Sequence, residues 1–339
     1  MRAAPCAGAV PLTNGEKGMT LKEKYQDWYS KHGAQLQAVS PKYDVVFELS
    51  KDEPIVFEDS TNVRLSAAII ADTHLPNREA AEVNLNNTFE DIANSKETID
   101  AFLLAGDIAD YGLRSEYERF FRPLDKQKCV KNLLVTMGNH DARFFFRKNS
   151  AIVMKKVEEY LKIKTNGKTY YSYDINGYTF IIICTERRVL EKAYISEEQQ
   201  AFLDRELARG TKDGKPVFVM CHQPFANMHG LPEVWETGDM GEQNDQVRAV
   251  MEKYRNVFFI NGHLHGGIYK NVVDTVNEEN GVHSISIPGY RKPNNFGVTD
   301  CGVGYLMEVY DDRVVFRARR FLTGKNMHGE YTRLEYKLI

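Results

Sequence analysis

From residue 64 onward, short apolar runs alternate with stretches in which apolar residues recur at helical spacing. The short runs predict β-strands at 65–71, 101–105, 133–137, 178–184, 217–221 and 257–261. Runs such as IIICT and VFVMC are apolar at nearly every position, which is typical of parallel strands covered on both faces. This half of the chain therefore predicts an α/β arrangement with buried parallel strands.

After residue 266 the pattern changes to strands without intervening helices. They are predicted at 268–274, 283–287, 305–310, 313–318 and 333–338. An α/β half followed by a β-rich tail predicts an α/β (α+β) fold, in which two mixed β-sheets pack as a sandwich flanked by helices.

Local signals mark several element boundaries. Ser115 and Glu118 fit a capping box before an apolar stripe, and Ser196 and Gln199 repeat that pattern before the next helix. Asn176-Gly177 separates two strand-like runs and predicts a β-hairpin. A further helical face is formed by Val247, Val250, Met251 and Tyr254.

The first 18 residues are rich in Ala, Gly and Pro, and residues 21–32 read as an amphipathic helix. We expect residues 1–45 to form a flexible leader and helical appendage, with Met19 as an alternative start. No linker-like composition interrupts the rest, so residues 46–339 are predicted to form a single domain.

Composition narrows the class of protein. Of the 339 residues, 42% are hydrophobic and 27% charged, as in globular proteins, and the formal net charge of −3 argues against a nucleic-acid-binding domain. The five cysteines form no CxxC pair, which favours a reducing compartment. No run approaches the roughly 20 apolar residues of a membrane span, and the N-terminus has no apolar signal-peptide core. We therefore expect a cytoplasmic protein.

Five polar segments each follow a predicted strand. Because ligands gather at the carboxyl ends of strands in α/β sheets, we expect these segments to converge. Their carboxylate, amide and imidazole groups suit Mn, Fe or Zn, and the lack of thiolates argues against a structural zinc or iron–sulfur site. Singly, each residue has an ordinary structural interpretation. The segments are Asp72-Thr73-His74, Gly106-Asp107, Gly138-Asn139-His140-Asp141, His222 and Gly262-His263-Leu264-His265.

In this order, the motifs resemble those of the calcineurin-like metallophosphoesterases over roughly residues 64–310. The resemblance implies a binuclear metal centre in which Asp107 bridges two divalent or trivalent ions. One ion would be held by Asp72, His74, Asp107 and His265, and the other by Asp107, Asn139, His222 and His263. A bridging hydroxide would attack phosphorus. The resemblance further implies that His140 stabilises the transition state or protonates the leaving oxygen, and that Asp141 orients its imidazole. Asp110 is a weaker candidate to support the site.

Details of the motifs distinguish this chain from two subfamilies, the protein serine/threonine phosphatases and the purple acid phosphatases. Tyr111 in GDIADYG stands where protein serine/threonine phosphatases carry a substrate-binding Arg, and Asp110 stands where purple acid phosphatases carry a Tyr ligand. The spacing is most similar to the bacterial branch with class III cyclic-nucleotide and glycerophosphodiester phosphodiesterases. It implies hydrolysis of a phosphodiester, or else a monoester, of a small soluble substrate. The alternatives are a nuclease and a non-catalytic scaffold with this fold; the metal and the oligomeric state stay open.

Substrate contacts are less well defined. Arg143, Arg187 and Arg188 are candidates to bind the phosphate, with surface solvation as the alternative for each. The irregular segments 225–241 and 292–304 are expected to cover the site. The basic run 313–320 alternates with apolar residues and is predicted to be mostly the solvated face of a strand, and His229 and His283 are predicted to be structural.

Overall fold

The computed structural model describes residues 45–76, 78–230, 239–291 and 300–339. The strands in these ranges are β1 (Leu65–Ile70), β2 (Ala101–Ala105), β3 (Asn132–Thr136), β4 (Tyr171–Ile175), β5 (Tyr178–Ile182), β6 (Val217–Met220), β7 (Val257–Asn261), β8 (Val273–Asn277), β9 (Val282–Ser286), β10 (Val303–Val309), β11 (Arg313–Arg320), β12 (Lys325–Asn326) and β13 (Arg333–Lys337).

The strands form two mixed sheets. The first has the order β12-β11-β10-β1-β2-β3, with β13 paired to β11, and its parallel part is β1-β2-β3. The second has the order β4-β5-β6-β7-β9-β8, in which β5, β6, β7 and β9 run parallel and β4 and β8 are antiparallel edges. The parallel strands of each sheet therefore end at one edge, where the polar segments follow.

The two sheets pack face to face. Thr136 in β3 donates a hydrogen bond to the Ile183 carbonyl of the other sheet (2.9 Å). The Phe258 ring in β7 lies 6.1 Å from that of Phe316 and 5.9 Å from that of Tyr336. All six residues of β1 are buried, as expected of a strand covered on both faces. The predicted sandwich is confirmed.

Helices cover the outer faces of the sandwich. They are α1 (Glu79–Ala93), α2 (Arg114–Gln127), α3 (Asn139–Arg143), α4 (Phe146–Leu161), α5 (Glu197–Gly210) and α6 (Asn244–Met251). On the first sheet, the Phe89 ring of α1 packs 5.2 Å from Phe102 and 6.0 Å from Phe120. On the second sheet, Leu203 and Met251 belong to a buried apolar cluster with the strand residues.

Most strand predictions hold, two of them to the residue: 101–105 and 257–261. The Asn176-Gly177 hairpin is confirmed, with Ile175 opposite Tyr178 and positive φ at both turn residues (52° and 78°). The strand at 268–274 is largely wrong, because β8 begins at Val273. Ile268 and Val272 are buried outside β8: Ile268 forms an isolated β-bridge, and Val272 follows the turn that begins at Tyr269.

The capping box at Ser115 and Glu118 is also wrong. The helix begins at Arg114, one residue before Ser115, after an extended Leu113. The Glu116 carboxylate instead accepts hydrogen bonds from the backbone N–H groups of Leu113 (2.9 Å) and Tyr111 (3.1 Å). Half of the second capping box is confirmed: the Ser196 hydroxyl accepts from the Gln199 N–H (3.2 Å), but the Ser196 N–H donates to Glu186 (2.7 Å) and not to the Gln199 side chain.

The basic run 313–320 is not a solvated face. Arg319 is fully buried, and its guanidinium donates to both carboxylate oxygens of Asp91 (2.6 and 2.7 Å). Arg317 donates to the buried carboxylate of Glu308 (2.6 Å). Because α1 and the segment before β1 lie over this strand, Arg317 and Arg319 meet buried acids instead of water, and the prediction of a mostly wet face is wrong.

His283 in β9 lies between the two sheets. Its ring centroid is 4.4 Å from that of Tyr336 and 5.8 Å from that of Phe258, and its Nδ1 is buried with no hydrogen-bond partner in the described part of the chain. Burial lowers the pKa of His283 from 6.5 to about 4. Between these values the unfolded chain binds more protons than the folded chain. Stability present at pH 6.5 is therefore lost as the pH falls toward 4.

We expect His283→Gln to flatten this acid dependence. The neutral glutamine cannot titrate, so the slope of the free energy of unfolding against pH loses a contribution of up to about one proton. Urea unfolding of both proteins at several pH values from 4 to 6.5 measures the difference. Parallel curves for the two proteins would contradict the expectation.

Residues 1–44 lie outside the described residues, so the leader, the helix at 21–32 and the division near residue 45 remain predictions. Among the residues that are described, we find no helix whose length and apolar content suffice to cross a membrane.

Candidate metal centre

The polar segments that follow β1, β2, β3, β6 and β7 converge at one edge of the sandwich. Their backbone is unusual: φ is positive at Asp72 (55°), His74 (38°), Asp107 (50°), His263 (72°) and His265 (50°). L-residues with side chains rarely adopt this conformation, and such outliers concentrate at functional sites. The sharp turns direct side chains from separate strands toward a common point.

Two glycines make room for this convergence. A Cβ atom on Gly138 would lie 2.0 Å from the Asp107 Oδ1 atom, and one on Gly106 would lie 2.3 Å from the His222 Nδ1 atom. Both contacts are far shorter than van der Waals distance. The Gly-Asp and Gly-Asn pairs of the motifs are therefore required by close packing around Asp107.

The first donor cluster consists of Asp72, His74, Asp107 and His265. The Nε2 atoms of His74 and His265 are 2.8 Å apart, and His265 Nε2 is 3.2 Å from Asp72 Oδ1. Asp107 Oδ2 lies 3.5 Å from His74 Nε2. Two imidazole nitrogens at this distance, beside two buried carboxylates, form the surroundings that a cation requires.

The second cluster shares Asp107 with the first and adds His222 and His263. Asp107 Oδ2 lies 3.3 Å from His222 Nε2. Asn139 Oδ1 is 3.1 Å from both His222 Nε2 and His263 Nδ1. The Ala105 carbonyl is 2.8 Å from His222 Nδ1, so a proton on that nitrogen leaves Nε2 with its lone pair toward the cluster.

The electrostatics between Asp107 and His222 favour positive charge, whereas burial and the neighbouring His222 lower the pKa of His263. Burial opposes ionisation of Asp107, yet the neighbouring imidazoles of His222 and His140 hold its pKa well below the usual range. Burial likewise opposes charge on His222, but Asp107 raises the pKa of that imidazole to about 9. A field able to keep a proton on a fully buried imidazole also attracts a metal cation. The residues of the two donor clusters are therefore suited to bind metal cations.

His140 lies beside the first cluster. Its ring centroid is 4.5 Å from that of His74, and its Nδ1 atom is 2.7 Å from the Asp110 carbonyl oxygen. Its backbone N–H donates to Asp107 Oδ1 (2.8 Å). That bond occupies one oxygen of Asp107 and leaves Oδ2 facing both clusters.

The prediction that Asp141 orients the His140 imidazole is wrong. The carboxylate is fully buried and accepts hydrogen bonds from three backbone N–H groups and one phenol, namely Gly138 (2.9 Å), Ile108 (3.2 Å), Ala109 (3.2 Å) and Tyr117 (2.8 Å). The first turn of α3 directs it inward, away from the ring. Asp141 fastens the turn after β3 to the turn after β2, and the Asp110 carbonyl holds the His140 imidazole.

The three candidate arginines make protein contacts at the border of the site. Arg143 pairs with Glu191 (2.7 Å), and Arg188 donates to the Arg143 carbonyl (2.7 Å). Arg187 lies over the Tyr194 ring, 3.6 Å from its centroid. Their role toward a substrate phosphate stays a prediction.

Sequence reasoning missed two residues near the centre. Arg291 pairs with Asp110 (2.9 Å) and donates to the His74 carbonyl (2.7 Å), and Glu191 accepts a hydrogen bond from the Asn139 side chain (2.8 Å). Neither stands in a motif with characteristic spacing. Asp110, predicted as a weaker supporting residue, is the sequence signal that leads to Arg291, its ion-pair partner.

The two segments predicted to cover the site are described in part. Residues 231–238 and 292–299 lie outside the described residues, and 303–304 belong to β10. His229 is fully buried, with its ring nitrogens 2.9 Å from the Asn271 carbonyl and 2.9 Å from the Ser284 hydroxyl, as its predicted structural role requires.

The sequence model of the calcineurin-like phosphoesterases matches residues 65–267, more than half of the chain. The protein belongs to the calcineurin-like phosphoesterase family. Within that span lie all five motif segments. This phosphoesterase is therefore a metal-dependent enzyme that hydrolyses phosphate esters, as the motifs predicted.

A probable cyclic nucleotide phosphodiesterase of Fibrobacter succinogenes is 26% identical over 203 residues, which cover 58% of this phosphoesterase and 71% of that protein. The predicted similarity to the bacterial phosphodiesterase branch is thereby confirmed.

Solved structures agree on the fold. A dimetal phosphatase from Danio rerio superposes with a TM-score of 0.60 at 16% identity, covering 82% of this phosphoesterase and all of that chain. A purple acid phosphatase from yellow lupin gives a TM-score of 0.55 at 17% identity, covering 80% of this chain and 53% of the other. At these identities the likeness concerns the fold alone.

Proposed function

We propose that this phosphoesterase is a two-metal phosphodiesterase that hydrolyses a small soluble phosphate ester. The observation that carries the proposal is the position of Asp107 Oδ2, which faces His74 of one donor cluster (3.5 Å) and His222 of the other (3.3 Å). A carboxylate that faces both clusters could be shared by two cations and would offset their repulsion.

Each metal would have its own donors in addition to Asp107. One would be held by Asp72, His74 and His265, and the other by Asn139, His222 and His263. Carboxylate, imidazole and amide donors suit Mn, Fe or Zn. When bound, two such cations activate water as a nucleophile and neutralise charge on the phosphoryl oxygens.

The protein groups around the clusters have separable tasks. The His140 N–H fixes Asp107 Oδ1 and so determines which oxygen is shared. A proton on His140 Nδ1 is directed at the Asp110 carbonyl, so the second proton of the imidazolium form would lie on Nε2, from which it can pass to the leaving oxygen and leave a neutral ring. His140 is therefore the proposed proton donor to the leaving group. Asp141 supports the reaction by fixing the turn after β3.

Three considerations favour an enzyme that acts on a small phosphodiester over the alternatives. The Fibrobacter succinogenes relative is described as a probable cyclic nucleotide phosphodiesterase. The net charge of −3 argues against a nuclease, and the convergence of all seven predicted donors argues against a scaffold that has lost its chemistry. A cytoplasmic location and a single domain over residues 46–339 complete the proposal.

The proposal predicts metal-dependent hydrolysis. Purified protein with Mn²⁺ is expected to hydrolyse bis-p-nitrophenyl phosphate faster than p-nitrophenyl phosphate, and EDTA is expected to abolish both activities until Mn²⁺ is restored. Cyclic nucleotides, glycerophosphodiesters and sugar phosphates, assayed in parallel, would identify the natural ester. Full activity in excess EDTA, after dialysis has removed all metal, would overturn the proposed function.

A further inference from the structure

Glu191 stands in the connection between β5 and α5, outside every motif. Its carboxylate accepts from the Asn139 Nδ2 atom through Oε2 (2.8 Å) and from the Arg143 Nη2 atom through Oε1 (2.7 Å). Its backbone carbonyl accepts from the side chain of Gln223, the residue after His222 (2.9 Å). Glu191 thus joins three chain segments around the second donor cluster.

The Asn139 amide has two possible orientations, related by a half-turn of its terminal group, and only one suits a cation. In the structure Oδ1 faces the cluster, 3.1 Å from both His222 Nε2 and His263 Nδ1, while Nδ2 faces Glu191. The opposite orientation would direct the NH₂ group at the cation and the amide oxygen at the Glu191 carboxylate. Both contacts would be repulsive.

We propose that Glu191 is a positioning residue that fixes the Asn139 amide with its oxygen toward the second donor cluster and thereby sets the metal affinity of that cluster. The inference rests on the proposed two-metal function. A carboxylate that accepts from the amide NH₂ also polarises the amide, which makes Oδ1 a stronger donor to a cation.

Arg143 completes this arrangement. Its ion pair with Glu191 holds the carboxylate in place and balances its charge, so the added acid does not repel an anionic ester. The side chains of both residues are mostly shielded, with exposed fractions of 22% for Arg143 and 29% for Glu191, which makes the pair less screened than a surface pair. An arginine that sequence reasoning assigned to the substrate thus serves first to hold Glu191.

The test is a Mn²⁺ titration of metal-free protein by equilibrium dialysis with elemental analysis. Wild-type protein is expected to bind two ions. Glu191→Ala is expected to weaken one of them by about 10- to 100-fold and to leave the other unchanged. Glu191→Gln keeps an acceptor oxygen for Asn139, so its loss is expected to be smaller. Glu197→Ala, which removes an exposed acid from the start of α5, is the matched control.

Repeating the Glu191→Ala substitution in Asn139→Asp protein distinguishes two effects: loss of the Asn139 amide orientation, and general loosening of the loop that carries Glu191. In Asn139→Asp an oxygen faces the cluster in either orientation of the side chain, so adding Glu191→Ala is expected to cause no further loss of affinity. The same loss in both backgrounds would overturn the inference, as would two ions bound with wild-type affinity by Glu191→Ala. If the alanine variant does not fold, Glu191→Met, which keeps most of the side-chain volume but offers Asn139 no acceptor oxygen, replaces it, and an unchanged affinity there overturns the inference. Wild-type protein that binds fewer than two ions would overturn the proposed function itself.

Discussion

Asp107→Ala is expected to release both metal ions and to lower phosphodiester turnover by at least about 10³-fold. Loss of a residue that merely supports a ligand costs about 10- to 100-fold. Asp107 Oδ2 faces both donor clusters, so its removal affects both ions at once. Elemental analysis of dialysed protein and steady-state kinetics with Mn²⁺ and bis-p-nitrophenyl phosphate measure the two effects.

Two further variants make the result interpretable. Asp107→Asn keeps the packed volume next to Gly138 while removing the charge, so a loss of metal there cannot be assigned to a cavity. Asp312→Ala removes an exposed acid, whose side chain is 75% exposed, and is expected to change neither metal content nor turnover. An Asp107→Asn protein that retains two ions and wild-type activity would refute the shared role of this carboxylate.

His140→Ala is expected to lower turnover by about 10²- to 10⁴-fold while both ions remain bound. The backbone N–H that holds Asp107 Oδ1 persists in alanine, so the substitution removes the imidazole without removing that hydrogen bond. If the imidazole protonates the leaving oxygen, the loss depends on the substrate. It is expected to be largest for alkyl esters and smallest for p-nitrophenyl esters, whose leaving group needs little protonation.

Metal content, kcat and the dependence of kcat on the leaving group together test this role. Equal losses for good and poor leaving groups would exclude proton donation and leave stabilisation of the transition state as the task of His140. A fully active variant on an alkyl diester would remove His140 from the mechanism.

The parts of the fold that could be predicted from sequence are those determined by local composition. Strands such as Ala101–Ala105 and Val257–Asn261 are buried along their whole length, so runs that are apolar at nearly every position mark them in the sequence. The donors were predictable for a related reason: each follows such a strand directly, and strand ends meet at one edge of a sheet.

The parts that could not be predicted depend on contacts between distant segments. Arg319 alternates with apolar residues like a solvated residue, and only the approach of Asp91, 228 positions earlier, buries it. Glu191 meets Asn139 across 52 positions, and no spacing rule links a loop residue to a motif. The family resemblance implied that Asp141 orients the His140 imidazole, but consecutive side chains of a helix point about 100° apart, so Asp141 turns inward while His140 faces the Asp110 carbonyl.

At five of the donor residues the backbone is left-handed. The conformational free energy that this requires is spent when the apoprotein folds, not when a metal binds. Left-handed backbone at residues other than glycine costs of order 1–3 kcal/mol each, and this cost falls on the folding of the apoprotein because strands and hydrogen bonds already hold those turns. An arriving cation then finds a rigid receptor and loses little affinity to ordering of the loops. The apoprotein is therefore less stable than one with relaxed turns, and metal binding requires less reordering of the loops.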